Sequence, residues 1–102
     1  MFRFALLALL LATNAIAQEW PTRQVTIVVP LGAGGGADVV ARIVAAGLGP
    51  ALGQNVVVEN VTGAGGMVGS ARVKNAAPDG YQILLGTVGT HAQNQTLYKK
   101  PL

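Results

Sequence analysis

The hydrophobic residues of this chain follow two different spacings. Three short apolar runs lie at residues 24–29, 56–60 and 82–86, and each predicts a strand. The first is continuous and rich in β-branched side chains, which is typical of a central strand that is buried on both faces of a parallel sheet. Pro30 ends the first run, because proline cannot donate to a strand ladder. Between the runs, apolar residues recur at helical spacing, so the chain predicts an α/β fold with right-handed crossovers and the strand order 2-1-3.

The first helical segment begins near Ala37 and Asp38. Asp38 suits a helix N-terminus and is expected to pair with Arg42, one turn on. A kink or break is expected near Gly49 and Pro50, with a short extra turn that ends at Gly53. The residues expected to face the sheet are Val40, Ile43, Val44, Gly47, Leu48, Ala51 and Leu52.

A second helix is predicted over residues 67–77, with Val68, Ala71 and Val73 turned inward. A turn at residues 77–80 leads into the third strand, and a third helix is expected to start soon after residues 87–91.

The first residues have the pattern of an export signal. Arg3 is followed by an apolar run over residues 4–12, which is too short to span a bilayer, and then by Ala15-Ile16-Ala17. We therefore expect residues 1–17 to be a signal peptide that is cleaved before Gln18. The mature chain, residues 18–102, would then be exported, most simply to a bacterial periplasm.

Composition narrows the function classes. Without the leader, six basic residues face four acidic ones, a net charge of +2 that is too weak and scattered for a nucleic-acid footprint. The absence of cysteine excludes disulfides and thiolate metal sites, and we expect neither a metal nor a cofactor.

A glycine-rich loop, residues 32–36, follows the first strand and opens the first helix. Free backbone N–H groups and the positive end of the helix dipole make such a loop a candidate anion site. In the order 2-1-3, the loops after strands one and three flank the crevice where open α/β sheets bind ligands. Residues 32–36 and 87–91 are therefore expected to face each other. A second glycine loop, residues 62–66, is interpreted as a tight turn that packs on the sheet.

Two readings of the first loop remain open at this stage. Gly32, Gly34 and Ala37 satisfy the dinucleotide-binding pattern, and Glu59 lies where an acid would bind a ribose. The alternative is thus a Rossmann-type oxidoreductase domain, although export disfavours a soluble enzyme of that kind. The lone histidine, His91, has no arranged serine or carboxylate partner, so a hydrolase has little support. For His91, a local hydrogen-bonding role in the loop or at a helix cap is at least as well supported as contact with a ligand.

Taken together, the motifs resemble the extracytoplasmic solute receptors of tripartite tricarboxylate transporters, the Bug-type receptors. The matching segments span nearly the whole mature chain: residues 27–30, 34–42, 52–60, 63–66, 77–81, 84–87, 89–91 and 97–100. The first loop departs from the usual pattern at Leu31-Gly32-Ala33, as do Val61-Thr62 and Met67.

This resemblance implies a receptor rather than an enzyme, with a three-layer, doubly wound, mostly parallel sheet of the type II periplasmic binding protein kind. Such receptors have two domains and about three times this length, so the chain would hold only part of domain one, a truncated product or fragment. The implied ligand is a small di- or tricarboxylate or related acid, and the implied partners are the membrane permease subunits. Carried over by position, the ligand-binding residues would be Leu31, Gly32, Ala33, Gly34, Gly35, Thr87, Gly89, Thr90 and His91.

Overall fold

The computed structural model describes residue 17 and residues 19–102, so all of the predicted leader except Ala17 lies outside the described residues. Three strands alternate with helices along the chain. These elements are β1 Val25–Val29, α1 Gly36–Leu52, β2 Val56–Asn60, a 3₁₀ turn Ala64–Gly66, α2 Met67–Lys74, β3 Gln82–Leu84, a π-helical turn Gly89–Gln93, and α3 Asn94–Leu97. No helix in this part of the chain is long and apolar enough to cross a membrane.

The sheet confirms the predicted topology. Its three strands are parallel in the order β2-β1-β3, and Ile27 of β1 pairs with Val58 on one side and Ile83 on the other. The central strand is buried along almost its whole length, as its continuous β-branched run predicts. All three strands therefore end at the same edge of the sheet, where the loops that follow them lie.

The small side chains of α1 face the sheet. Ala41 and Ala45 pack against Ile27 and Val29, and the half-buried Val58 lies beside them. Because alanine is small, the helix axis lies close to the strands, and this contact forms the core.

The predicted inward face of α1 is wrong for most of its residues. Val40, Ile43 and Val44 are 50%, 68% and 46% exposed, and Gly47 and Ala51 are exposed as well. Only Leu48 and Leu52 are half-buried, as expected. The helix is apolar on two sides, so periodicity alone could not choose between them.

The predicted break in α1 is also wrong. The helix continues through Pro50 to Leu52 and ends at Gly53, whose φ of 68° forms a left-handed cap. Pro50 lies in the last turn, where its missing N–H removes one helical hydrogen bond without ending the helix. The N–H of Gly53 closes the helix on the carbonyl of Gly49 at 2.9 Å.

Helix α2 is shorter than predicted and turns a different face inward. Gly69 and Ser70 are its buried residues, whereas Val68 is 49% exposed, and Ala71 and Val73 are half-buried. The helix ends at Lys74 rather than at residue 77. The expectation of an inward Val68 is wrong because α2 crosses so near β1 that only glycine fits the contact.

Candidate functional site

Loop 1, which we define as Leu31–Gly35, connects β1 to α1 and is exposed along its whole length. Gly34 has a φ of +84°, a conformation that glycine adopts without strain. Gly35 precedes the helix, and its carbonyl accepts the N–H of Val39 at 3.0 Å. The loop therefore presents backbone at the positive end of a 17-residue helix.

Asp38, in the first turn of α1, hydrogen-bonds to the backbone of loop 1. Its side chain is almost fully buried, at 3% exposure, and its Oδ2 accepts the N–H of Gly34 at 2.8 Å and Arg42 Nε at 3.0 Å. The predicted Asp38–Arg42 pair is thus confirmed. The carboxylate also occupies one of the loop's own amide donors, a bond that the sequence analysis did not foresee.

Asn60, the last residue of β2, completes this cluster. Its Nδ2 donates to the carbonyl of Leu31 at 3.1 Å and to Asp38 Oδ1 at 3.0 Å, while its Oδ1 accepts from Arg42 Nη2 at 3.4 Å. Loop 1 is consequently fixed at both of its ends, by a carbonyl at Leu31 and an N–H at Gly34.

These hydrogen bonds act on the ionisation of Asp38. The bond from Arg42 is the largest cause, followed by those from Gly34 and Asn60, and together they outweigh burial and lower the pKa of Asp38 from 3.8 to about 2. At neutral pH the carboxylate is therefore charged and bound to its three partners.

Loop 3, defined as Thr87–His91, follows β3 and opens the last helical segment. Thr87 Oγ1 accepts the N–H of Thr90 at 3.2 Å, which is the geometry of a helix N-cap. In return, Thr90 Oγ1 accepts the N–H of Thr87 at 2.9 Å. Thr90 is buried, so the loop is organised by its two hydroxyl groups.

His91 makes a local contact in this loop. Its Nδ1 lies 2.7 Å from Thr90 Oγ1, and its ring packs so closely on Gly86 that a methyl group there would collide with the imidazole. These contacts agree with the interpretation of His91 as a residue that hydrogen-bonds locally.

Loop 2, defined as Thr62–Gly66, follows the edge strand β2 and reaches loop 3. A methyl group on Gly66 would lie 2.6 Å from Thr90 Cγ2 and 3.4 Å from Pro30 Cβ. The carbonyl of Gly65 accepts Asn94 Nδ2 at 2.9 Å. Loop 2 thus packs over the end of the sheet, and it joins the base of loop 1 to loop 3.

Glu59, the candidate ribose-binding acid, is bound to another side chain. Its two carboxylate oxygens accept Arg72 Nη1 and Nη2 at 2.5 and 2.7 Å. The hydrogen bonds from Arg72 lower the pKa of Glu59 and Glu59 in turn raises the pKa of Arg72. This bidentate pair joins β2 to α2, a contact that accounts for Glu59 without a nucleotide.

Two residues of the site region were missed in the sequence: Asn60 and Asn94. Each acts through a contact 22 or more residues away, which hydrophobic periodicity cannot reveal. An asparagine at the end of a strand was the one available signal, because its amide can hold a neighbouring loop. Among residues 19–102, no group of three or more His, Asp or Glu side chains could hold a metal ion.

The comparisons with known proteins agree with this architecture. Residues 40–101 match the model of the tripartite tricarboxylate transporter family receptor. The chain is 51% identical over 85 residues to the UPF0065 protein of the TAR-I ttuE-ttuC' intergenic region of Agrobacterium vitis, covering 82% of this chain and 25% of that protein. The chain thus spans about a quarter of the length of the curated relatives it matches.

Solved structures extend the likeness to the fold. The periplasmic binding protein BugD is 50% identical with a TM-score of 0.74, over 78% of this chain and 26% of that one. Rpa4515 of R. palustris, solved with adipate, is 43% identical with a TM-score of 0.77, over 79% and 27% of the two chains. The predicted fold class is therefore confirmed: the sheet is part of a type II-like periplasmic binding protein domain.

A parallel 2-1-3 sheet, its two glycine loops and the family match over residues 40–101 lead to one assignment. The chain belongs to the tripartite tricarboxylate transporter receptor family.

Proposed function

We propose that this chain is part of a solute-binding receptor that captures a small organic carboxylate for a tripartite tricarboxylate transporter. Loops 1 and 3 would supply one half of the ligand site. The single observation that carries the proposal is the 43% identity and TM-score of 0.77 to a protein solved with adipate, a dicarboxylate.

The chemistry of the two loops fits such a ligand. A carboxylate is recognised by backbone N–H groups and hydroxyls, and loop 1 offers exposed backbone at Gly32, Ala33 and Gly35 near a helix N-terminus. Loop 3 adds the hydroxyl of Thr87, the backbone at Gly89, and Thr90 with His91. Affinity in such a site comes from preorganised donors, and no nucleophile or general base is required.

Location and partners follow from the same proposal. Residues 1–17 would direct export and be removed, and residues 18–102 would form the N-terminal part of the first domain of a periplasmic receptor. The receptor would pass its ligand to membrane permease subunits. The relative BugD is itself a periplasmic binding protein. Mass spectrometry of the protein from a periplasmic extract should find Gln18 at the N-terminus.

Isothermal titration of the full-length protein against di- and tricarboxylates tests the binding function. We expect at least one of these acids to bind, and NADH to give no heat. No binding of any carboxylate would refute the proposal.

Two substitutions test the location of the site. Gly34→Val forces a β-branched residue to a φ of +84°, and Thr90→Val removes the buried one of the two loop 3 hydroxyls. Thr22→Val is the control, because Thr22 hydrogen-bonds to Tyr81 Oη at the opposite end of the strands. Both site variants should weaken binding while the control should not, and equal affinity in all three would place the ligand elsewhere.

A further inference from the structure

The side chains of Asp38 and Asn60 bear directly on the backbone of loop 1. Asp38 Oδ2 accepts the N–H of Gly34 at 2.8 Å, and Asn60 Nδ2 donates to the carbonyl of Leu31 at 3.1 Å. Between these two fixed points lie only Gly32 and Ala33. The direction of their amides is therefore set by side chains of α1 and β2.

We propose that Asp38 and Asn60 are positioning residues for the ligand site, which hold loop 1 in its binding geometry and do not contact the ligand. The proposal rests on the carboxylate-binding function proposed above.

The bonding within the cluster explains why it is specific to these side chains. Asn60 uses both hydrogens of its amide, one on Leu31 and one on Asp38, and its oxygen accepts from Arg42. An aspartate at position 60 would offer no hydrogen to the Leu31 carbonyl or to Asp38, and two carboxylates would then face each other. Asp38, for its part, accepts from three donors that all favour a charged oxygen acceptor.

Burial gives the cluster of Asp38, Arg42 and Asn60 its rigidity. Asp38 is 3% exposed although it carries a charge, and Arg42, whose side chain is 55% exposed, covers it from the solvent side. A charged group that is buried and bonded to several partners has one low-energy arrangement, because any movement leaves a donor or acceptor without a partner.

The hydrogen bond to Asp38 also makes the Gly34 N–H unavailable to the ligand. Carboxylate recognition in loop 1 is thus assigned to the amides between the two fixed points, those of Gly32 and Ala33.

The variant Asp38→Asn, made in the full-length protein, tests this role. It keeps the shape of the side chain and removes its charge. Asp79→Asn is a matched control, because Asp79 also accepts a backbone N–H, that of Tyr81 at 3.0 Å, and also pairs with an arginine, Arg23 at 3.3 Å, at the other end of the strands.

Two measurements separate positioning from stability. Amide hydrogen exchange should show faster exchange of the Gly34 N–H, the loop 1 amide that Asp38 accepts, in Asp38→Asn, and in Asp79→Asn the change should be confined to residues near Tyr81. Titration with adipate should show affinity about tenfold lower in Asp38→Asn, the size expected for a displaced binding loop, and unchanged in Asp79→Asn. The proposal is overturned if loop 1 exchange is unaltered, or if both variants lose affinity in step with their melting temperatures.

The exchange experiment is independent of the ligand. If the parent protein binds no carboxylate, the proposed function fails, whereas loss of protection at the Gly34 N–H would still demonstrate the positioning contact. Should Asp38→Asn not fold, Arg42→Gln, at a half-exposed side chain, weakens the same cluster and carries the same two readouts. Unchanged exchange and affinity in that variant would count against the proposal.

Discussion

Gly69 of α2 packs on the residues that directly follow β1 and β2, Pro30 and Val61, and replacing it tests the packing of the fold. A methyl group at this position would lie 2.6 Å from the Val61 carbonyl oxygen and 2.9 Å from Pro30 Cα. Both neighbours are backbone atoms, which cannot rotate away. Gly69→Ala must therefore move the helix from the sheet, by about 0.8 Å to restore an ordinary contact of 3.4 Å.

The expected cost combines two opposing effects. Overpacking against fixed atoms costs up to about 3 kcal/mol, while alanine favours a helix over glycine by about 1 kcal/mol. The free energy of unfolding should thus fall by about 2 kcal/mol. With a urea slope of about 1 to 2 kcal/mol per molar for a domain of this size, the unfolding midpoint should drop by about 1 to 2 M.

Gly47→Ala is the matched control, since Gly47 is also a helical glycine but has nothing within 4 Å of the added methyl group. This change should raise the free energy of unfolding by about 0.5 to 1 kcal/mol. Urea unfolding of the purified protein, followed by circular dichroism, compares the two variants. If Gly69→Ala proves as stable as Gly47→Ala, the close approach of Gly69 to Val61 and Pro30 is incorrect.

Three further outcomes are expected. The pKa of Asp38 in the folded protein, about 2, lies below its ordinary value of 3.8, so the stability that this carboxylate contributes is complete above about pH 4 and is lost as the pH falls towards 2. Urea unfolding midpoints measured from pH 2 to 5 should show this loss. In Asp38→Asn the midpoint should depend less on pH over the same range. Gly34→Ala should destabilise by about 1 kcal/mol or more because of its φ of +84°, whereas Gly36→Ala, at an unstrained and open position, should not, by the same assay. Val28→Ala, at a fully buried position, should lower the free energy of unfolding by about 2 kcal/mol. Val39→Ala, at a half-exposed position, should lower it by less than about 0.5 kcal/mol. Equal changes in melting temperature for the two variants would contradict the core described above.

The strands and their order were predictable because their signal is local. The run from Val25 to Val29 is β-branched and apolar at nearly every position, and the alternation of strands with helical segments leaves few topologies open. Two features of α1 follow from equally local rules. One is its C-terminal end at Gly53, and the other is the i,i+4 ion pair between Asp38 and Arg42.

The rotation of α1 could not be predicted, because it is set by contacts between distant residues. Asp38 bonds to Asn60, 22 residues along the chain, and Ala41 and Ala45 of the same helix pack on β1. Valine and isoleucine on the other side give a stronger hydrophobic pattern than the alanines do, so periodicity selects the wrong face.

The candidate site was predictable at the level of loops rather than of atoms. Loop 1 was selected from its glycines, loop 3 from the strand order, and their individual ligand-binding residues from the family resemblance. The capping bonds between Thr87 and Thr90, and the occupation of the Gly34 amide by Asp38, depend on angles that composition does not encode. That loops 1 and 3 bind the same ligand stays a prediction, which the titration tests.

The position of Gly66 has a consequence for which residues the chain can accept there. An added methyl group would lie 2.6 Å from Thr90 Cγ2 and 3.4 Å from Pro30 Cβ, and the φ of Gly66 is +91°. Both the space and the backbone conformation therefore require glycine at this position. A larger residue would push loop 2 away from Thr90, the buried residue around which loop 3 is organised, and would so disturb loop 3 from a position outside it.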